Sequence, residues 1–308
     1  MRSQAYVAVL ALSLSLAALA QAPAPQPERR TFAVSVLDKD GKAIHGLTAA
    51  NFRGAFRGQP VKILSATEDS SPRRIAIPID RSASMRMDPD LVEFIWATVH
   101  RMIESSAPPH KLVLLTFSDS LAQHSELTED RAALLRGLEK AQDTRVRGST
   151  ALFDALARTS KAFAPARPSD AIVVLSDGLE NASGRGNWAA ERNLAALGIR
   201  VYFVWPLRPR DTRHPPLVLT IAKQDMIRLG DVTGGLLLEL QEYRPEDAAP
   251  VVARISDALC TGYLIEVQFP AAIDKPREWK LELVDAEQKP LKDHRVAYPR
   301  LLVPQRPE

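Results

Sequence analysis

Short apolar runs that end in polar turns alternate along the middle of the chain with stretches whose apolar residues recur at helical spacing. The apolar runs cover residues 73–80, 111–117, 172–175 and 199–204. Helical spacing follows in residues 88–107, 128–141, 150–163 and 187–197. A short apolar run bounded by turn residues is typical of a strand that is buried on both faces. Strands that alternate with helices predict an α/β fold with a doubly wound, mostly parallel sheet.

Helix boundaries and the last part of this region follow from capping residues and prolines. We predict that Thr128 caps one helix and that Thr150 opens another, because both residue types favour the start of a helix. The Pro- and Arg-rich residues 207–219 predict a surface loop. After it we expect a helix at 221–229, an edge strand at 236–240 and a closing helix at 245–258.

The two ends of the chain show a different period. Apolar and polar residues alternate within residues 31–67, and again within 263–269, 279–284 and 295–298. Alternation predicts antiparallel strands with one buried face. Because so few strands are marginal alone, we expect both ends to form one small antiparallel β element, with Phe52 and Trp279 in its core.

The N-terminus has the three-part pattern of a secretory signal peptide. Arg2 gives it a positive start, residues 7–19 are apolar, and Ala18-Leu19-Ala20 has small residues at a cleavage site. A buried helix or a membrane anchor is the alternative, but a membrane span needs roughly 20 apolar residues. We therefore predict cleavage after Ala20, export to the periplasm or the extracellular space, and no stable membrane span.

These patterns divide the chain into consecutive segments. They are a signal peptide at 1–20, a linker at 21–30, an N-terminal β segment at 31–70, an α/β domain at 71–259 and a C-terminal β segment at 260–308.

Charge and cysteine content exclude some classes of partner and of covalent structure. The formal net charge is +3, and the densest basic run, residues 208–213, is broken by proline and lacks interleaved aromatic residues. The sequence therefore predicts no nucleic-acid partner. Cys260 is the only cysteine, so an internal disulfide is excluded. Since no His or Asn is close to it in sequence, we expect a small buried residue rather than a nucleophile.

Candidate chemistry follows the first apolar run. Asp80, Ser82 and Ser84 come directly after it, where an open α/β sheet places its ligands. Their alternate spacing lets one carboxylate and two hydroxyls converge, and hard oxygen ligands suit Mg²⁺, Ca²⁺ or Mn²⁺. The same residues could instead cap the next helix.

Two later segments extend this motif. Residues 147–154 place Thr150 after a Gly turn, and residues 172–178 end an apolar strand at Asp177 and a glycine. The ordered set Asp-x-Ser-x-Ser, Thr and Asp resembles a von Willebrand factor type A domain, whose fold is Rossmann-like, with a complete metal-ion-dependent adhesion site. Residues 31–67 also resemble the segment before this domain in the bacterial, Acidobacteria-type members of the family.

The resemblance implies a metal site and a function. It implies that Ser82, Ser84 and Thr150 bind a divalent cation directly, while Asp80 and Asp177 act largely through waters or through hydrogen bonds around the direct ligands. It implies Mg²⁺ first, with Mn²⁺ or Ca²⁺ as alternatives, and an open coordination position for an Asp or Glu of a protein partner. The implied function is a secreted, metal-dependent, adhesion-type protein-binding module rather than an enzyme.

Two other functions are left open. One is a metal-dependent hydrolase or phosphotransfer enzyme. Against it, none of the six His residues lies in a motif loop, and no Gly-rich phosphate cradle follows a strand. The other is a structural protein with a vestigial metal site, which Pro78 in a central strand and Ser149 in the Gly turn would favour.

Overall fold

The computed structural model describes residues 27–86, 88–105, 110–144, 148–206, 215–240, 243–260 and 262–305. The predicted signal peptide at 1–20, most of the predicted linker and the basic run at 208–213 lie outside these ranges.

The described residues form strands and helices in the following order. The strands are β1 Glu28–Asp38, β2 Phe52–Phe56, β3 Gln59–Asp69, β4 Arg74–Asp80, β5 Lys111–Phe117, β6 Leu121–Gln123, β7 Ala171–Leu175, β8 Arg200–Pro206, β9 Leu236–Leu240, β10 Gly262–Phe269, β11 Arg277–Glu278, β12 Lys280–Leu283, β13 His294–Ala297 and β14 Leu301–Leu302. The α-helices are α1 Ala83–Arg86, α2 Pro89–Ser105, α3 Arg131–Gln142, α4 Leu152–Thr159, α5 Asn187–Leu197, α6 Pro216–Thr233 and α7 Ala248–Cys260.

The central sheet has the order β6-β5-β4-β7-β8-β9, and all of its strands are parallel except β6. Its apolar side chains face both ways. Ile77 belongs to a core with α2, α3 and α7, and the adjacent Ala76 belongs to a core with α4, α5 and α6. This double burial explains why the strands read as unbroken apolar runs. The predicted doubly wound, mostly parallel sheet is confirmed, with β9 at its edge.

The second sheet is antiparallel and has the order β12-β2-β3-β10-β1-β13. It joins both ends of the chain, because β1 pairs with β10 and β13, and β2 pairs with β12. Phe52 and Trp279 are buried in its core, where the Trp279 ring lies 5.0 Å from that of Phe32. The prediction of one antiparallel element built from the two ends is confirmed. The short strands β11 and β14 form a separate pair.

A buried arginine joins the two sheets. The Arg200 guanidinium at the start of β8 donates to the Ser35 hydroxyl of β1 at 3.0 Å, and that hydroxyl donates to the Ala258 carbonyl of α7 at 2.9 Å. All three groups are buried. The N-terminal strand is therefore fixed to the amino end of the central sheet.

Several predicted boundaries are wrong. β1 begins at Glu28, so the last three residues of the predicted linker belong to a strand. α3 begins after Asp130, whose carboxylate accepts from the Ala133 N–H at 3.1 Å, because Thr128 instead bridges to Leu112 of β5. Thr150 precedes α4 and does not open it.

The predicted loop at 207–219 is also partly wrong. α6 begins at Pro216, five residues before the predicted start, and ends at Thr233. Proline is well suited to the first turn of a helix, where its missing N–H costs nothing. The prolines therefore mark the beginning of this helix rather than a loop. Within the ranges described above, no helix is long and apolar enough to cross a membrane.

Candidate metal centre

The candidate residues lie where two neighbouring parallel strands end. Asp80 is the last residue of β4, and Asp177 follows β7 by two residues. The register pairs Ile79 with Leu175, so both carboxylates reach the same edge of the sheet. From β4 the chain passes to β5 on one side and later to β7 on the other, which creates a crevice at this edge.

The turn after β4 gathers three of the five side chains. The Ser82 N–H donates to Asp80 Oδ1 at 2.8 Å, and the hydroxyls of Ser82 and Ser84 are 3.1 Å apart. The Arg81 N–H donates to the Phe117 carbonyl at 2.7 Å, which holds this turn against the end of β5. Asp80 and Ser82 are buried and Ser84 is half-buried, so the turn has the alternate geometry that the sequence predicts.

The turn after β7 is fastened to Asp80 through Ser176. The Ser176 hydroxyl donates to Asp80 Oδ2 at 2.5 Å and accepts from the Gly178 N–H at 3.0 Å. Gly178 has φ +74°, and a Cβ there would lie 2.6 Å from the Met226 side chain. The positive φ favours glycine in this turn, and any other residue would be strained and would also have to push aside the end of the Met226 side chain. The Asp177 carbonyl accepts from the Trp205 indole at 2.9 Å, which anchors the loop to β8.

Thr150 lies in a separate loop that is clamped from two sides. Its N–H donates to Asn181 Oδ1 at 2.9 Å, and its carbonyl accepts from the N–H groups of Asn181 and Ala182, each at 3.0 Å. The next residue, Ala151, donates its N–H to the Ser118 carbonyl at 2.7 Å. Thr150 is buried and lines a cavity of about 370 Å³ together with Ser84. The fold thus brings all five predicted residues to one place.

The electrostatics of this place are dominated by carboxylates. Burial and the nearby charge of Asp177 raise the pKa of Asp80 to about 7, against the lowering effect of the hydrogen bonds from Ser176 and Ser82. Like charges that share a buried site resist joint ionisation. A divalent cation would relieve that repulsion, and the surrounding donors are all oxygens, as Mg²⁺, Mn²⁺ and Ca²⁺ prefer. The residues therefore fit a hard divalent cation.

The structure adds residues that sequence reasoning missed. Ser176 holds Asp80, and Asn181 holds Thr150. Glu180 binds the N–H groups of Ala182 and Ser183 at 2.7 Å each, which shapes the loop. Ser176 could have been found, because it directly precedes Asp177 at the end of an apolar run. No sequence signal indicates Asn181, since its contact crosses between two loops.

Two further observations concern residues outside this set. Asp119 is exposed in the loop after β5. No His is close to Cys260 in sequence, but the fold brings His110 Nε2 to 3.0 Å from Cys260 Sγ. The two residues are 150 positions apart in sequence, so only the fold shows this contact. In the described ranges, His, Cys, Asp and Glu side chains do not gather in threes in a way that could hold a metal.

Comparisons with known proteins identify the domain. Residues 75–180, which include all five candidates, match the sequence model of the von Willebrand factor type A domain family. A comparison with curated proteins found no match.

Solved structures resemble the chain in fold. A von Willebrand factor type A protein from Catenulispora acidiphila matches with TM-score 0.50 and 12% identity, over 92% of this chain and 75% of its own. BatB, a conserved hypothetical protein from Bacteroides thetaiotaomicron, matches with TM-score 0.47 and 18% identity, over 61% of this chain and 98% of its own. Proximal thread matrix protein 1 from the mussel byssus, with a zinc-occupied MIDAS motif, matches with TM-score 0.49 and 14% identity, over 63% of this chain and 50% of its own.

The domain match covers about a third of the chain, and the antiparallel sheet lies outside it. At these identities the structural likeness concerns the fold alone. The matched residues and the fold identify the chain as one that carries a von Willebrand factor type A domain.

Proposed function

We propose that this chain is an exported module that binds a protein partner by capturing an Asp or Glu side chain on a divalent cation. The cation is held by hydroxyls and carboxylates of three loops. These residues are Asp80, Ser82, Ser84, Thr150 and Asp177. The observation that carries the proposal is their convergence at one buried, all-oxygen edge of the sheet.

The donor set explains why an acidic partner is favoured. Ser82, Ser84 and Thr150 are neutral, so as direct ligands they leave the charge of a divalent cation largely uncompensated. Asp80 and Asp177 supply charge nearby, but the hydrogen bonds to Ser82 and Ser176 hold both Asp80 oxygens. A carboxylate from a partner completes the coordination and cancels charge in one step. Mg²⁺ is the first candidate, with Mn²⁺ or Ca²⁺ as alternatives.

Calorimetric titration of the three cations into wild type and Thr150→Ala tests the metal site. We expect wild type to bind Mg²⁺. The affinity of the variant for Mg²⁺ should fall by more than the roughly tenfold that removal of a supporting residue costs. The matched control is Thr220→Ala on α6, whose exposed hydroxyl donates to the Pro216 carbonyl at 2.9 Å. Circular dichroism checks the fold. Equal affinity in all three proteins would remove this cluster from the mechanism.

We also infer that the module is not an enzyme. Catalysis of hydrolysis needs a base that is free to accept a proton. None of the six His residues lies in a loop that carries the candidate ligands, and both Glu180 oxygens accept hydrogen bonds from its own loop and from Phe153 of α4. We expect no turnover of phosphate esters or peptides with Mg²⁺ or Mn²⁺. Cation-dependent turnover that disappears in Asp80→Asn would establish an enzyme instead.

Export rests on the N-terminal sequence, which lies outside the described residues. Mass spectrometry of the protein recovered from outside the cytoplasm should show a chain that begins at Gln21. Recovery with Met1 or Arg2 still present would exclude cleavage at the predicted site.

A further inference from the structure

Exposed apolar side chains concentrate at the same end of the molecule as the candidate cation site. Helices α5 and α6 both follow strands that end at this edge, so their first turns lie beside it. Four large apolar residues in the first two turns of these helices are exposed. They are Trp188 at 61%, Leu217 at 70%, Val218 at 42% and Ile221 at 50%. Val218 and Ile221 also line the cavity beside the candidate site, and exposed apolar side chains that border a polar site are typical of a binding surface.

The cavity beside the candidate site has one polar and one apolar wall. Ser84 and Thr150 form the polar wall, and Val218, Ile221 and Ala222 form the apolar wall. Its volume of about 370 Å³ exceeds what one carboxylate needs. An occupant that places only a carboxylate on the cation would leave the apolar wall in contact with water. The cavity therefore suits an acidic group that is accompanied by an apolar one.

Negative charge at the cavity makes the cation necessary for such an occupant. Glu180 and Asp225 also line it, in addition to the buried carboxylates below. The Asp225 carboxylate accepts from the Asn187 amide at 2.8 Å, which ties the start of α5 to α6 and fixes the apolar wall. An acidic segment is repelled from this cavity until a cation neutralises the site. Contact with the apolar wall alone would not favour an acidic segment over a neutral one.

From these walls we infer that the partner presents an extended segment in which an Asp or Glu is followed directly by a large aliphatic residue. The carboxylate binds the cation, and the aliphatic side chain packs between Val218 and Ile221. This inference rests on the proposed function and specifies its partner. In an extended segment, neighbouring side chains are about 3.3 Å apart along the chain and point to opposite faces. One segment can therefore reach both walls.

Four end-blocked peptides test this inference with the full chain in Mg²⁺. Their central pairs are Glu-Leu, Glu-Ser, Gln-Leu and Gln-Ser, and NMR titration of amide shifts measures their affinities. We expect the Glu-Leu peptide to bind about three- to tenfold more tightly than Glu-Ser, because a leucine side chain leaves water. Both Gln peptides should fail to bind at the same concentrations, and chelation should abolish Glu-Leu binding.

The variant Ile221→Gln should remove the preference for Glu-Leu over Glu-Ser and leave Mg²⁺ affinity unchanged. Ile227→Gln is the matched control, because Ile227 is on the same helix, is 39% exposed and does not line the cavity. It should keep the preference. Equal binding of the two Glu peptides, or equal effects of the two variants, would overturn this inference while the proposed function stands.

Two other outcomes would overturn the proposed function or the identity of the partner. A protein that binds neither Mg²⁺ nor any Glu peptide would overturn the proposed function and this inference with it. Light scattering that shows Mg²⁺-dependent self-association, abolished by Ile221→Gln, would identify a second copy as the occupant and overturn the assignment to a separate partner.

Discussion

Charged residues lie at both ends of the strands β4 and β7. Opposite charges meet at the amino end, and like charges meet at the carboxyl end. At the amino end, Arg74 of β4 donates to both carboxylate oxygens of Asp170 just before β7, at 2.7 and 2.5 Å. At the carboxyl end of the same strands, Asp80 and Asp177 place like charges together. Opposite charges satisfy each other within the fold, whereas like charges need something from outside it.

This difference indicates which end holds the fold together and which end binds. The amino end also contains Arg200, which is joined to Ser35 and to the Leu259 carbonyl, so the buried charges of this end hold the sheets together. The carboxyl end has a carboxyl group with a raised pKa, the buried hydroxyls of Ser82 and Thr150, the half-buried hydroxyl of Ser84 and an open cavity. Perturbed titratable groups beside a cavity are typical of functional sites. The predictions below test this division.

The largest effect should follow from breaking the amino-end pair. Asp170→Ala removes the buried partner of Arg74 and leaves a largely buried guanidinium without its carboxylate. We expect the free energy of unfolding to fall by about 3–5 kcal/mol in urea titration. The control is Glu282→Gln, which breaks the half-exposed pair with Arg53 and should cost less than about 1 kcal/mol. Equal losses would show that the amino end is not the stabilising end.

At the carboxyl end, removal of a charge should raise the stability of the fold instead of lowering it. The pKa of Asp80 is raised from 3.8 to about 7 in the folded protein. The folded state therefore holds this proton more tightly than the unfolded chain, and stability is lost as the pH rises between these two values. With a chelator present, we expect Asp80→Asn to be more stable than wild type at about pH 8 by roughly 1–3 kcal/mol.

Urea titrations near pH 5 and near pH 8 check the sign, because the advantage of Asp80→Asn should shrink at the lower pH. Mg²⁺ should then stabilise wild type more than the variant, since a cation that binds only the folded state adds stability. A variant that is less stable than wild type at the higher pH would contradict the assignment of Asp80 to a strained site.

The sequence was sufficient to predict the sheet because its strands are local patterns, and the family resemblance picked out the five candidate residues that the fold brings to its edge. Buried parallel strands read as unbroken apolar runs, and a residue at the end of such a run reaches the edge of the sheet wherever the other strands lie. The identity of the cation and its role remain predictions.

What the sequence could not show depends on contacts between distant segments. The Asn181 clamp on Thr150, the Ser35 bond to Arg200 and the approach of His110 to Cys260 each join residues of different loops or sheets. Propensity also misled at Pro216, since a proline is equally compatible with a loop and with the first turn of a helix.

A smaller effect should follow from Ser176→Ala at the carboxyl end. The variant frees Asp80 Oδ2 and removes the acceptor of the Gly178 N–H, so the two turns lose their link. We expect Mg²⁺ affinity to fall about tenfold in calorimetric titration, as for other residues that orient a metal site. Ser160→Ala is the matched control, because its buried hydroxyl binds the Ala157 carbonyl on α4. An unchanged affinity would separate Ser176 from the site.

The smallest effect on cation binding should come from Cys260 at the other end of the sheet. The Arg73 N–H donates to His110 Nδ1 at 3.1 Å, so the neutral imidazole carries its proton on Nε2, which faces the Cys260 sulfur. Such an imidazole donates to the thiol and does not deprotonate it. Burial raises the pKa of the Cys260 thiol and lowers that of His110, which opposes formation of a thiolate and imidazolium pair.

We therefore expect Cys260 to react with iodoacetamide at neutral pH more slowly than a free thiol, and to react faster as the pH rises toward the raised pKa. Cys260→Ala should cost about 1 kcal/mol of stability for the lost hydrogen bond and leave Mg²⁺ affinity unchanged, because distant sites act independently. Mass spectrometry of the alkylated chain and calorimetry measure the two effects. Rapid alkylation at neutral pH, or a changed cation affinity in Cys260→Ala, would mean that the two ends of the sheet do not have separate roles.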